Sequence, residues 1–389
     1  MYHTLTIGRI ATIPVRLHWS WLLVVGLLIA TLSPIYAAGV CSGAASCTGA
    51  WGLGLLMAAL FSASLLLHEL GHALMARRCA VPVESITLFA FGGMAEVLAE
   101  SPGPGEEFAI AVAGPAVSLL IALISAVVWW SVGHVEAALN LSLGLTGVLA
   151  LHLALSNVIM MIFNLLPGYP MDGGRVLRAT LWFLSDELLP ATRLAALVGR
   201  AVASLIIVVG LALAAAWSMP MIAVWSAMIG FFLHSTARAS YRQLLMQTAL
   251  HGVRVSDLMQ RRLRTASAEL SLEQFVARYL LGQSESGFAV VLPEPEPEAA
   301  PQLLGLLTLQ QVRRHKSSEW ARLRVAEVMS PLAQLNLLAP DMPALDALYR
   351  LNEAHEELLP VAEQGRLVGM LSRRDVAIFV QVQLARKRR

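Results

Sequence analysis

The chain has 389 residues, 57% of them hydrophobic and only 14% charged, with 28 Lys and Arg against 26 Asp and Glu and a formal net charge of +2. An average soluble domain is about 25% charged, so the composition excludes a purely soluble protein and describes a multispanning membrane protein with a soluble part attached. A balance this close to neutral, with Lys316 as the first lysine, argues against a nucleic-acid partner.

Residues 1–16 mix Thr, Ile, Val and Arg, carry Pro14 and read as short extended structure without a signal-peptide cleavage pattern. Apolar segments follow at residues 17–36, 51–75, 108–130, 141–166, 194–217 and 221–234. Most approach the ~20 residues that a helix needs to cross ~30 Å of hydrocarbon, which predicts six spans, the last one short. Another apolar stretch, 176–184, follows a polar break after the fourth.

Short cytoplasmic loops are enriched in Lys and Arg. Arg9 and Arg16 precede the first span, Arg77 and Arg78 follow the second, Arg175, Arg178 and Arg193 follow the fourth, and Arg238 and Arg242 follow the sixth. The alternate loops, 37–50, 131–140 and 218–220, contain neither residue. Both termini are expected in the cytoplasm, with the spans in the cell (inner) membrane. Cys41 and Cys47 share one outer loop and could pair if it faces an oxidising compartment; together with Cys79 they form neither a disulfide framework nor a cysteine-rich zinc site. His134 and His234 read as interfacial, His152 and Asn157 as groups hydrogen bonding between helices, and Ala113-Gly114-Pro115 as a packing and bending point.

The second span contains His68-Glu69-Leu70-Gly71-His72. Histidines at i and i+4 project from one helix face and can share a divalent ion, with Glu69 beside them as a general base. Ionisable groups in an apolar span are expensive and usually functional. Late in an outside-to-inside helix, they would lie roughly 10 Å within the cytoplasmic boundary. A catalytic zinc needs a third protein ligand. The leading candidate is Asp172 in Phe163-Asn164-Leu165-Leu166-Pro167-Gly168-Tyr169-Pro170-Met171-Asp172-Gly173-Gly174-Arg175, where prolines and glycines break the fourth span at a matching depth. Glu84, Glu96 and Glu100 compete with it.

An embedded His-Glu-x-x-His followed by Asn-x-x-Pro-x-x-x-x-Asp-Gly resembles the site-2 protease family of intramembrane zinc metalloproteases, peptidase family M50. Phe91-Gly92-Gly93-Met94 and Ala113-Gly114-Pro115 also resemble family elements. The resemblance implies His68, His72 and Asp172 as zinc ligands, Glu69 as catalytic acid/base and Asn164 as a polar group assisting the transition state. It further implies that Gly92 and Gly93 belong to a membrane-entering β element that receives an unwound substrate strand. A target helix must unwind, because a helix hides its carbonyls in its own hydrogen bonds. No PDZ-like domain is evident between the spans.

Charge density rises near Leu250, and Pro293-Glu294-Pro295-Glu296-Pro297-Glu298 reads as a solvated loop. Val255-Ser256-Asp257-Leu258-Met259 is echoed by Val325-Ala326-Glu327-Val328-Met329, and Leu304-Gly305-Leu306-Leu307-Thr308 by Val368-Gly369-Met370-Leu371-Ser372, a repeat of roughly 65 to 70 residues. This resembles a tandem pair of CBS domains, which implies an adenine-nucleotide site or a purely structural, dimerising pair. The family's Gly-x-x-Thr/Ser-x-x-Asp pattern is complete at Gly369, Ser372 and Asp375, whereas the first copy has Gly305 and Thr308 but Gln311. The basic tail Arg386-Lys387-Arg388-Arg389 is a solvated end or a contact to anionic headgroups.

The expected fold class is therefore a polytopic α-helical membrane protein with about six transmembrane helices, a small membrane-associated β element and a cytoplasmic α/β tandem CBS domain. Its expected bounds are 1–245 for the protease domain, 250–316 for the first module and 322–382 for the second. The expected function is zinc-dependent cleavage of a single-pass transmembrane regulatory protein in the bilayer, modulated by nucleotide at the CBS pair, with the CBS domains available for homodimerisation. The competing class is a CBS-regulated channel or transporter whose intramembrane His, Glu and Asp line an ion path; a catalytically silent scaffold is disfavoured because ligand set and base are complete.

Overall fold

The computed structural model describes residues 4–40, 48–90, 92–97, 101–139, 144–261, 265–280, 287–292, 303–354, 356–363 and 366–386. Cys41, Cys47, Phe91, Glu100, the acidic proline run and Lys387 to Arg389 lie outside them. The chain divides into two compact units, Met1–Tyr241 and Arg242–Arg389.

The first unit opens with a hairpin, β1 (Thr4–Ile10) and β2 (Ile13–His18). Its two turn residues, Ala11 and Thr12, both have positive φ, the geometry that matches strand twist in two-residue hairpins. Helix α1 (Trp21–Val40) and helix α2 (Thr48–Arg78) follow. Arg77 at the end of α2 donates to Ala11 O and Thr12 Oγ1, pinning the turn. Strands β3 (Val83–Phe89) and β4 (Gly92–Val97) complete a sheet of order β1-β2-β3-β4, with β2 and β3 parallel and the other pairs antiparallel. Period-2 alternation turns Ile13 and Ile86 onto Leu66, Leu70 and Ala73 of α2, and Leu88 packs with Trp21 and Leu65. The sheet thus lies along the part of α2 that carries the two histidines.

Five further helices complete this part: α3 (Pro104–Leu139), α4 (Gly144–Asn164), α5 (Asp172–Ser185), α6 (Leu188–Trp217) and α7 (Pro220–Leu250). By length and composition, five of the described helices suffice to cross a membrane, α2, α3, α4, α6 and α7, and α1 is a sixth apolar helix of 20 residues. Two sequence expectations change. Helix α3 runs on through His134, whose ring lies tilted against Trp130 within the helix instead of occupying a loop. The short last span becomes 31 helical residues, because the polar stretch after His234 lacks a helix breaker. Small residues set the close crossings: Ala195 and Ala237 meet at Tyr169, and Ala203 packs with Leu233 and Met171.

The second unit contains α8 (Val255–Leu258), β5 (Thr265–Ser267), α9 (Leu272–Phe275), β6 (Gly287–Val291), β7 (Leu303–Thr308) and α10 (Leu309–Arg313). Then come α11 (Val325–Val328), β8 (Ser330–Pro331), α12 (Ala344–Glu353), β9 (Leu358–Glu363), β10 (Arg366–Ser372) and α13 (Arg373–Arg386). The sheets are β5-β6-β7-β8 and β10-β9. The repeated segments cross over. Val255 and Leu258 pack in the core of the second half with Ala347, Leu351 and Val361, while Val325 packs in the first with Phe275, Phe288 and Leu307. Gln260 exchanges backbone hydrogen bonds with Met370 at 2.8 and 3.1 Å, and β8 adds to β7. Each half is therefore completed by the segment that introduces the other.

Candidate metal centre and active site

Three side chains remote in sequence converge. His68 Nε2 and His72 Nε2 are 3.2 Å apart, and Asp172 Oδ2 stands 3.1 Å from each. Two donors of a tetrahedral zinc at ~2.0–2.1 Å are separated by about 3.3 Å, so the triangle has the size such an ion needs. The histidines stand one turn apart on α2. Asp172 reaches them because the chain leaves α4 at Asn164, turns through Pro167 to Met171 and starts α5 at Asp172, where a carboxylate also suits the helix N-terminus.

The outer ring nitrogens fix the imidazoles. His72 Nδ1 lies 2.7 Å from the carbonyl of Ile110, which can only accept, so Nδ1 carries the hydrogen and Nε2 keeps its lone pair when the ring is neutral. His68 Nδ1 is 2.8 Å from Ser118 Oγ. Both partners are on α3, which approaches closely because Gly114 faces the rings: a Cβ there would fall on His72 Nε2 and within 2.7 Å of His68 Nε2. Ala113-Gly114-Pro115, read from the sequence as a packing and bending point, thus also makes room for the two imidazole Nε2 atoms. The donor set, its preset tautomer and this clearance fit a divalent zinc.

Glu69 is 8% exposed and lies under the edge strand β4. A Cβ at Gly93 would come within 2.7 Å of its Oε1. Gly93 is the second residue of β4, pairing with Leu88, and Gly92 before it has φ +133°, open to glycine alone. Asn164, the last residue of α4, points Nδ2 to 3.4 Å from His68 Nε2. His68, Glu69, His72, Asn164, Asp172 and Gly93 are therefore brought to one place.

Of the competing carboxylates, Glu84 and Glu96 are engaged elsewhere, and Glu100 lies outside the described residues. Glu96 accepts from Ser85 at 2.6 Å and pairs with Arg16 at 3.5 Å, and Glu84 pairs with Arg16 at 3.8 Å. Asn157 donates to Ser64 across α4 and α2 at 3.2 Å, whereas His152 donates to Val148 in its own helix and sets its ring edge against Tyr36. The sequence reading missed Glu107. This buried residue holds Arg175 and Arg178, so two arginines counted as loop charges are paired. An acidic residue in the first turn of an otherwise apolar span was the available signal.

In the second unit, Ser372 and Asp375 form the junction of β10 and α13. Ser372 Oγ donates to Asp375 Oδ2 at 2.5 Å, and Gln260 donates to Oδ1 at 2.8 Å. Gly369 packs against Met259. The corresponding Thr308 and Gln311 repeat the arrangement, with Gln311 donating to Ser330 at 2.6 Å, so a neutral amide occupies the place of the acid in the first half.

Among known proteins, the model of peptidase family M50 matches residues 56–150 and 133–209, and that of the CBS domain matches residues 325–381. The chain is 34% identical to Rip3 of Mycobacterium tuberculosis over 98% of its own length and 94% of that protein's. It is 30% identical to sll0528 of Synechocystis over 99% and 97%. Both relatives are described as zinc metalloproteases. The solved site-2 protease of Methanocaldococcus jannaschii is similar over 60% of this chain and 95% of its own, at 28% identity and a TM-score of 0.43. The chain belongs to peptidase family M50, the site-2 protease type of membrane-embedded zinc metalloprotease, and carries a C-terminal CBS domain.

Proposed function

We propose that this protease cuts a transmembrane segment of a single-pass regulatory protein within the cell membrane, near its cytoplasmic face. The observation that carries the reading is the meeting of His68, His72 and Asp172 with Glu69 beneath the edge of β4. His68, His72 and Asp172 would hold zinc, which supplies Lewis acidity and a water of lowered pKa when bound. Glu69 takes the proton of the attacking water and delivers it to the leaving amine nitrogen. Asn164 Nδ2 donates to the oxygen on which charge develops, adding no charge to an apolar site. The substrate strand adds to the edge of β4 beside Gly92 and Gly93, which aligns its carbonyl with Glu69 and keeps it unwound. Helix-weakening residues in the substrate favour cleavage for the same reason.

The basic residues of the alternate loops other than the internally paired Arg175 and Arg178, among them Arg78, Arg193, Arg238 and Arg242, support cytoplasmic termini. The protease domain would cover 1–245 and the CBS modules 250–316 and 322–382. An adenine nucleotide would bind at Gly369, Ser372 and Asp375, its ribose replacing Gln260 as partner of Asp375, and the CBS pair would dimerise. Metal content and cleavage of a model transmembrane substrate, measured on purified wild type, Glu69→Gln and Asp172→Ala in detergent, test the core of this reading. Expected are stoichiometric zinc with cleavage in wild type, zinc without cleavage in Glu69→Gln, and weakened zinc in Asp172→Ala. Wild type without tight zinc, or full cleavage by Glu69→Gln, refutes it.

A further inference from the structure

Helix α3 begins in a charged cluster that the reaction steps leave unused. Glu107 is 1% exposed; Oε1 accepts from Arg175 Nε at 3.0 Å and from Arg178 at 2.6 Å, and Ser101 Oγ donates to Oε2 at 2.5 Å. Arg178 is itself buried and lies over the Tyr169 ring, 5.3 Å from its centroid. A buried carboxylate facing two guanidinium groups is directional, because each planar group fixes the angle of its partner as well as the distance.

The register of this cluster ties it to the metal ligands. Arg175 stands three residues after Asp172 on α5, and Ile110 stands three after Glu107 on α3, spacings that make neighbours on one helix face. Ile110 O holds His72 Nδ1, while Asp172 Oδ2 must reach both Nε2 atoms. One carboxylate therefore joins the helix that carries the third ligand to the helix that orients the second.

We propose that Glu107 is a positioning residue, whose hold on Arg175 and Arg178 keeps α5 against α3 and so keeps Asp172 within bonding reach of a shared ion. This rests on the metal-centre reading above. The test is zinc affinity by chelator competition, with the visible spectrum of the cobalt-substituted protein, on the full chain in detergent. Glu107→Gln weakens zinc at least tenfold and changes the cobalt spectrum, and Glu107→Asp recovers part of both. Arg175→Lys, which keeps the charge but loses the Nε contact, serves where Glu107→Gln does not fold and is expected to weaken zinc several-fold. A folded Glu107→Gln, or failing that Arg175→Lys, with zinc affinity within twofold of wild type and an unchanged spectrum overturns the proposal. A wild type that binds no zinc overturns the metal-centre reading and this inference with it, so the two failures are distinct.

Discussion

Replacing Gly114 with alanine tests whether the closeness of α3 to the two imidazoles is what shapes the metal centre. In an ordinary helix interior, Gly→Ala stabilises by roughly 0.5–1 kcal/mol. At Gly114 the new methyl would overlap His72 Nε2 and lie 2.7 Å from His68 Nε2. Restoring an ordinary contact of about 3.4 Å requires a movement of about 0.7 Å or more, several times the ~0.2 Å tolerance of metal–ligand distances. His72 can move only by giving up its 2.7 Å contact to Ile110 O. We expect zinc affinity to fall by about 100-fold, or about 2.7 kcal/mol, with the helix itself intact. Gly133→Ala, in the same helix with open space around its Cβ, is the control and should leave zinc unchanged. Zinc affinity measured by chelator competition on both variants decides the matter. A Gly114→Ala protein that binds zinc within threefold of wild type would show that α3 yields freely and that the argument from clearance is wrong.

Asn164→Ala should lower kcat by about 10²- to 10³-fold with little change in KM, because an oxyanion donor acts in the transition state; steady-state kinetics on a peptide-bearing transmembrane substrate check this. Gly93→Ala should displace the Glu69 carboxylate and depress cleavage while zinc content stays stoichiometric, a pairing that metal analysis and turnover measured together can verify. Asp375→Ala should abolish adenine-nucleotide binding measured calorimetrically. It also removes the acceptor of Ser372 and Gln260 at the start of α13, which should cost about 1 kcal/mol of stability in chemical denaturation.

The convergence of His68, His72 and Asp172 was legible because motifs that suit a shared ion have characteristic residue types and spacing. His68 and His72 share a helix face by arithmetic alone, and Asp172 could be chosen over Glu84, Glu96 and Glu100 because prolines and glycines break its span at the depth of the histidines, whereas the glutamates lie past Arg77 and Arg78. The groups that support them were not legible, since they are ordinary residues made special by distance: Ser118 and the carbonyl of Ile110 hold ring nitrogens from a helix 38 to 50 residues away. Glu107 escaped for the same reason, and its absence from the reading left Arg175 and Arg178 as topology signals when they are internal partners. The six apolar segments identified the helices, but the end of α7 was lost because a hydropathy pattern stops where polar residues begin, whereas a helix stops at a breaker. In the second unit the repeat was visible, but the exchange of α8 and α11 between halves was not, because similarity between copies does not say which copy each packs upon.

That exchange has a consequence for synthesis. Gln260 finds its backbone partner at Met370, about 110 residues later, and at ~5–20 residues per second it waits roughly 5 to 20 seconds after leaving the ribosome. The sheet of the first half closes earlier, once Ser330 reaches Leu306. For much of that interval Val255 and Leu258, buried in the finished protein, remain uncovered, until Ala347, Leu351 and Val361 have been made. A premature stop after Leu258 and before Ala344 would make this exposure permanent, so such products should be drawn to chaperones and degradation even though the apolar helices that precede Val255 are complete.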